Sequence, residues 1–209
     1  YRESEITPED IEKYRYLYDT FSEIFVGWDM AKVQDQSILS VFGRRKDNLE
    51  TLQLIDIQQL RGDYHYQAMC VSIVAQLVSA RKVGFDNTGV GAAVKDHLDQ
   101  TKIAGRCIPV NFNNKTKIPM YTNFRTMINR KQIWLPDTDL DDEMMASLDW
   151  PDISKQIFKQ ITSLEYNPIA QRIQAKPGEY DDIPSSFLCA IEAAKNKKQR
   201  SGFVLLGRG

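Results

Sequence analysis

Apolar positions in this chain fall into short runs that give way to helical spacing. The run Phe25-Val26-Gly27-Trp28-Asp29-Met30-Ala31 climbs into a lone carboxylate, and after a turn Ser37-Ile38-Leu39-Ser40-Val41-Phe42 leads away. That pattern predicts two antiparallel strands, the first (Phe25 to Met30) ending in an acid and the second running over about 36–44. Lys46-Asp47-Asn48 is the next turn, and a third strand follows over 49–59. Ahead of these strands, Thr7-Pro8-Glu9-Asp10 has the cap, proline and acids of a helix start, predicting a helix to about Phe21. Met69, Ile73, Leu77 and Ala80, with Val74 and Val78, recur at helical spacing and predict a helix ending near Lys82. Lys82-Val83-Gly84-Phe85-Asp86 then reads as a short fourth strand, again ending in Asp. A glycine-containing loop, Asn87 to Gly91, leads into a helix over Ala92 to Leu98, and a fifth strand runs from Arg106 to Val110. From Pro119 the pattern is helical, with Tyr121, Phe124 and Ile128 on one face, and Ile133-Trp134-Leu135 is a brief strand stopped by Pro136. Helices are predicted over 139–148 and 151–164, a strand over 169–175, a loop over 177–182 and a closing helix over 183–195. The order is βββαβαβ followed by further helices: a mixed α/β fold.

Composition bounds this reading. The 209 residues suffice for one full domain with a sizeable core or two small ones, and 42% apolar with 26% charged residues is ordinary globular usage. The chain starts at Tyr1, not Met, as expected of a fragment cut from a longer protein. No apolar run approaches membrane-spanning length and no signal-peptide pattern is visible, so no membrane partner is expected. Cys70, Cys107 and Cys189 are widely spaced in apolar surroundings, which fits free thiols better than a disulfide frame or zinc site. His65 and His97 have no partner at ligand spacing and read as surface or helix residues. A net charge of −1 says nothing for nucleic acid, but basic residues gather at Arg44-Arg45-Lys46, at Lys115 and Lys117, at Arg125, Arg130 and Lys131, and from Lys195 to Arg200.

The carboxylates carry the candidate chemistry. If the fourth strand lies parallel beside the first, Asp29 and Asp86 meet at one edge of the sheet, with Asp181 and Asp182 placed to close the site from the side. Three or four carboxylates converging without a basic partner repel one another. Hard divalent cations remove that cost, and oxygen-only ligands select Mg²⁺ or Mn²⁺ over zinc. Two such ions about 3.5–4 Å apart are the usual arrangement for phosphodiester hydrolysis. Asp35 reads as plain surface or as a residue orienting a metal-bound water. The loop from Asn87 to Gly91 lacks the length and the lysine of a P-loop, so its glycines are read as permitting the turn that aims Asp86.

Three stretches resemble the nuclease domain of the large terminase subunit of tailed double-stranded DNA bacteriophages, a branch of the ribonuclease H-like superfamily. Val26-Gly27-Trp28-Asp29-Met30-Ala31, with Asp35 after it, is similar to the family's first acidic motif. Phe85-Asp86-Asn87-Thr88-Gly89-Val90-Gly91 is similar to the second, Asp-x-Thr-Gly-x-Gly, and Tyr180-Asp181-Asp182-Ile183-Pro184-Ser185-Ser186 to the third. The third departs from the family, with Tyr180 where His is common and Ser185 where another Asp is common. The resemblance implies a ribonuclease H-like mixed β-sheet with a βββαβαβ core flanked by helices. It implies one nuclease domain over 1–209, with the core at about 22–196, a leading helix over 1–21 and a basic tail over 197–209. It further implies a metal-dependent endonuclease that cuts concatemeric viral DNA at the start and end of packaging. Two Mg²⁺ or Mn²⁺ ions would sit on Asp29, Asp86 and Asp182, with Asp181 beside them and Asp35 assisting. Which of Asp181 and Asp182 is the third ligand stays open. Lys46, Lys115, Lys117 and Arg125 would hold the backbone of double-stranded DNA. The remaining implied partners are the packaging ATPase domain of the full-length chain, the portal and the small terminase subunit, in the host cell cytoplasm. No Walker A pattern occurs in this chain. Two rivals remain: another ribonuclease H-like nuclease such as a Holliday-junction resolvase, or a non-catalytic DNA- or portal-binding module or actin-like nucleotide binder. Branched against linear DNA separates the first, and metal titration with a plasmid substrate the second.

Overall fold

Strand β1 (Phe21–Asp29) lies in the interior of a six-stranded sheet, hydrogen-bonded to a strand on each side. The computed structural model describes residues 6–30, 37–89, 91–135, 156–167 and 172–195. β1 pairs antiparallel with β2 (Ser37–Arg45), which pairs antiparallel with β3 (Leu52–Leu60). On its other side β1 pairs parallel with β4 (Lys82–Asp86), which pairs parallel with β5 (Cys107–Val110). The two-residue β6 (Ile133–Trp134) adds to β3, giving the order β5-β4-β1-β2-β3-β6.

Both faces of this sheet are covered, which is why β1 reads as a near-continuous apolar run instead of alternating with polar residues. Period two still sorts its side chains. Ile24, Val26 and Trp28 belong to one core cluster, with Ala68, Val71 and Ala75 of α3 (Tyr64–Leu77) and Val94 and Leu98 of α4 (Gly91–Asp99). Phe25 points to the other face, where α5 (Asn114–Asn129), α6 (Gln156–Thr162) and α7 (Asp182–Lys195) pack. Gly27 and Asp29 share that second face by spacing, as do Gly84 and Asp86 on β4. α7 is buried along nearly all of its length, because it packs on β1, β2 and β4 and against α5 and α6. A two-stranded sheet of β7 (Leu164–Asn167) and β8 (Arg172–Ala175) stands beside α5. No helix among the described residues is long and apolar enough to cross a membrane.

Several predicted boundaries move. The leading helix is two short pieces, α1 (Pro8–Glu12) and α2 (Leu17–Thr20); Thr7 caps α1 as predicted, but Phe21 begins β1. Phe21 is pulled into the sheet because its ring covers Gly43. The second predicted helix stops at Leu77, since Ser79 adopts a positive φ of 47° that turns the chain into β4. The helix predicted from Pro119 begins at Asn114, because Asn113 accepts from the N–H groups of Lys115 and Thr116 and forms a capping box with Thr116. Leu164, predicted helical, opens β7. The predicted helix over 139–148 and the tail over 197–209 lie outside the described residues.

Candidate active site

Two copies of a Gly-aromatic-Asp pattern, Gly27-Trp28-Asp29 and Gly84-Phe85-Asp86, lie side by side on parallel strands. Gly27 is the register partner of Gly84, and Trp28 of Phe85, so the aspartates leave the same edge of the sheet on the same face. α7 crosses that face over the glycines. A Cβ on Gly27 would meet the Ser186 carbonyl oxygen at 2.0 Å, and one on Gly84 the Cys189 carbonyl oxygen at 2.0 Å. This close seat carries the first turn of α7, and with it Asp182, to the ends of β1 and β4. Asp181 directly precedes the helix and its carbonyl accepts from the Ser185 N–H at 2.9 Å. The buried Gln160 of α6 fixes the same turn, its Oε1 accepting from the Ile183 N–H at 2.9 Å. Sequence reasoning missed Gln160, which carries no local signal. The doubled Gly-x-Asp was a signal for the seat.

The loop after β4 is stapled to the loop after β5. Asp86 Oδ1 accepts from the Thr88 N–H at 2.7 Å, and the Asn87 N–H donates to the Val110 carbonyl at 2.7 Å. Asn87 Nδ2 donates to Asn111 Oδ1 at 3.0 Å, and the Phe112 N–H donates to Thr88 Oγ1 at 2.8 Å. Gly89 takes a φ of 80°, which a side chain would disfavour. Residues 87–89 are thus tied by hydrogen bonds directly after Asp86.

Electrostatics tie the four carboxylates together. Asp29 and Asp182 are each only 8% exposed. Burial pushes the Asp29 carboxyl well above its ordinary range, and the negative charges of Asp86, Asp182 and Asp181 push it further. Lys117 opposes that shift. Its Nζ lies 2.8 Å from Asp181 Oδ2 and 5.8 Å from the ring centres of both Phe112 and Tyr121. The Tyr121 and Ser185 hydroxyls stand 3.5 Å apart, and burial followed by the Asp181 charge raises the Tyr121 phenol well above its usual value. The carboxylates were expected to converge without a basic partner. Lys117 corrects this: it sits inside the cluster, paired with one of the acids.

The donor set among the described residues is all oxygen, and Lys117 is the basic group that acts on Asp29 against three acidic neighbours. Those features fit a hard divalent cation and not zinc. Among the described residues, no three His, Cys, Asp or Glu side chains are gathered closely enough to hold an ion as they stand.

The basic residues divide. Lys115, the second residue of α5, is exposed at the carboxylate end, close to Lys117. Arg125 is exposed farther along α5, on the rim of a groove of about 650 Å³ that Tyr121, Phe124, Ile161 and Ile173 also line. Lys46 does not join them. It follows Arg45, which pairs with Phe21 at the start of β1, and its ammonium is held by the Tyr18 carbonyl. β1 has nine residues, so at about 3.3 Å each Lys46 stands roughly 25 Å from the carboxylates. Asp35 lies outside the described residues.

Comparison with solved structures follows this geometry. The chain superposes on the large terminase nuclease of thermophilic phage G20c with bound magnesium, at a TM-score of 0.64 and 18% identity, over 83% of this chain and 84% of that one. The chain has the terminase nuclease fold. It is also similar to the nuclease domain of the large terminase of bacteriophage SPP1 with bound manganese, at a TM-score of 0.54 and 14% identity over 91% and 93% of the two chains. The manganese-soaked, inhibitor-bound nuclease domain of the human cytomegalovirus terminase matches at 0.55 and 13%, over 90% and 94%. No protein-family model matches the chain, and no curated protein matches it in sequence. The terminase nuclease fold therefore rests on three-dimensional likeness, and the ribonuclease H-like sheet expected from the three acidic motifs is present.

Proposed function

We propose that the protein is a metal-dependent endonuclease that cuts concatemeric double-stranded viral DNA to begin and end genome packaging. The observation that supports this reading is the glycine seat that brings the start of α7, with Asp182, toward the strand ends that carry Asp29 and Asp86, in a fold shared with metal-bound terminase nucleases. Asp29, Asp86 and Asp182 would hold two Mg²⁺ or Mn²⁺ ions, which supply an activated water and stabilise the leaving oxygen. The residues themselves do the positioning. The Thr88 N–H orients the Asp86 carboxylate, and the Gln160 bond to Ile183 holds the start of α7. Lys117 occupies Asp181 and lowers the charge density around Asp29. Asp182, whose charge acts on Asp29 more strongly than that of Asp181, is favoured as the third ligand. Lys115 and Lys117 at the start of α5, with Arg125 farther along, would hold phosphates beside the site without reading sequence.

The partners of this activity would be double-stranded DNA, the packaging ATPase domain of a full-length chain, and the portal and small terminase subunit, in the host cell cytoplasm. Plasmid cleavage tests the reading. Wild-type protein should nick and linearise supercoiled DNA in Mn²⁺ or Mg²⁺ and not in EDTA. Asp29→Asn and Asp86→Asn should be inactive while keeping their folded circular dichroism spectra. Wild-type rates in either folded mutant overturn the assignment.

A further inference from the structure

The sequence offers no ligand spacing for its two histidines, yet the fold brings them together. His65 is the second residue of α3 and His97 lies in α4, on the face of the sheet opposite α7. Their ring centres are 5.3 Å apart with the planes at 68°. His65 is exposed and His97 half-buried, and Nδ1 of His97 is shut away from water with no hydrogen-bond partner among the described residues. A buried imidazole nitrogen left without a partner costs free energy, and neutral imidazole nitrogen is a metal ligand.

We propose that His65 and His97 form a second metal site, one that takes a borderline divalent transition ion such as Zn²⁺, Ni²⁺ or Co²⁺. Two imidazoles bound tetrahedrally at a metal–nitrogen distance of about 2 Å place their ring centres about 5 Å apart, the separation found here. Nitrogen ligands select these ions over Mg²⁺, which demands oxygen. The two sites are therefore chemically orthogonal: carboxylates on one face for a hard ion, imidazoles on the other for a softer one. The scaffold behind the histidines is rigid. Ala68 and Val71 of α3 and Val94 and Leu98 of α4 are buried in one core cluster, and Asp63 caps the first turn of α3 through the Tyr66 N–H at 2.8 Å. His65 is exposed, so water would complete the coordination from its side of the ion. An ion here ties α3 to α4, the helix that leaves the Asp86 loop.

The test uses protein without a polyhistidine tag, in saturating Mg²⁺ so that the carboxylates are not available. Ni²⁺ titration by calorimetry and Co²⁺ titration by visible absorption should both show saturable binding of one ion per chain. His65→Ala removes an exposed side chain and should leave the fold intact. It should weaken Ni²⁺ binding by at least what loss of an outer-shell partner costs, on the order of tenfold. His97→Gln should do the same, and Ni²⁺ should raise the melting temperature of wild type but not of His65→Ala. Asp29→Asn should bind Ni²⁺ like wild type. Unchanged Ni²⁺ affinity in folded His65→Ala overturns the proposal, as does absence of saturable binding in wild type. Loss of Ni²⁺ binding in Asp29→Asn would assign the ion to the carboxylates instead.

Discussion

Gly27 and Gly84 are register partners on parallel strands, and a methyl group on either would strike the backbone of the same helix. The candidate site depends on this relationship, because a helix that sat one side chain higher would lift Asp182 away from Asp29 and Asp86.

Gly27→Ala and Gly84→Ala should therefore lower stability at the upper end of overpacking effects, about 3 kcal/mol or more, since the obstructing atoms are main chain and cannot rotate aside. Cleavage should fall in parallel. Urea denaturation followed by far-ultraviolet circular dichroism checks this, and a wild-type midpoint for either variant would disprove the seat.

The Asp29 carboxyl is raised above its ordinary value of 3.8 by burial and by its acidic neighbours. A raised folded-state pKa gives stability that is fully present below the unfolded value and lost as pH rises through the folded one. Metal-free wild-type protein should thus lose stability relative to Asp29→Asn as pH rises from 4 toward neutrality. Mn²⁺ should restore wild type by binding the native state, and should not stabilise Asp29→Asn. Parallel pH profiles of the two proteins in EDTA would show that Asp29 carries no such strain.

Lys117 and Asp181 form a part-buried ion pair at 2.8 Å, with side chains 22% and 27% exposed. Removing the lysine leaves the acids without that counter-charge. Lys117→Ala should destabilise the metal-free protein by about 1 kcal/mol, a value set between exposed and buried pairs. The deficit should shrink in saturating Mn²⁺, because the ions take over neutralisation. Thermal melts with EDTA and with Mn²⁺ measure both, and an equal deficit in the two conditions would assign Lys117 a packing role only.

Asp182 is buried at the first position of α7, and its charge acts on Asp29 more strongly than that of Asp181. Asp182→Asn should lose nearly all cleavage at saturating Mn²⁺, and Asp181→Asn only part of it. The reverse order of damage would exchange their roles.

Lys115→Ala should weaken binding to linear DNA and reduce the slope of log affinity against log salt by about one contact's worth. Lys46→Ala should change neither, because Lys46 stands at the far end of β1. Fluorescence anisotropy across a salt series compares them, and an effect confined to Lys46 would move the DNA to the opposite end of the sheet.

The sequence by itself determined the six strands of the main sheet, though not where β1 starts, together with the chain order of the acidic motifs and the placement of Asp29 and Asp86 at strand ends. These follow from short apolar runs bounded by turn residues, and period two puts Gly27 with Asp29 and Gly84 with Asp86 on one face. Only the tertiary structure decided how those pieces meet. Lys117 reads locally as one solvated charge on a helix and becomes the partner of an acid 64 residues away. Lys46 reads as part of a basic cluster and is carried away from the site by the antiparallel run of β2. Gln160 and the histidine pair have no local signature at all. Short-range spacing governs which way a side chain points from its own backbone. Which distant side chain it faces is decided by strand register and by how closely a helix can approach the sheet, and here the absence of a side chain at Gly27 and Gly84 permits that approach.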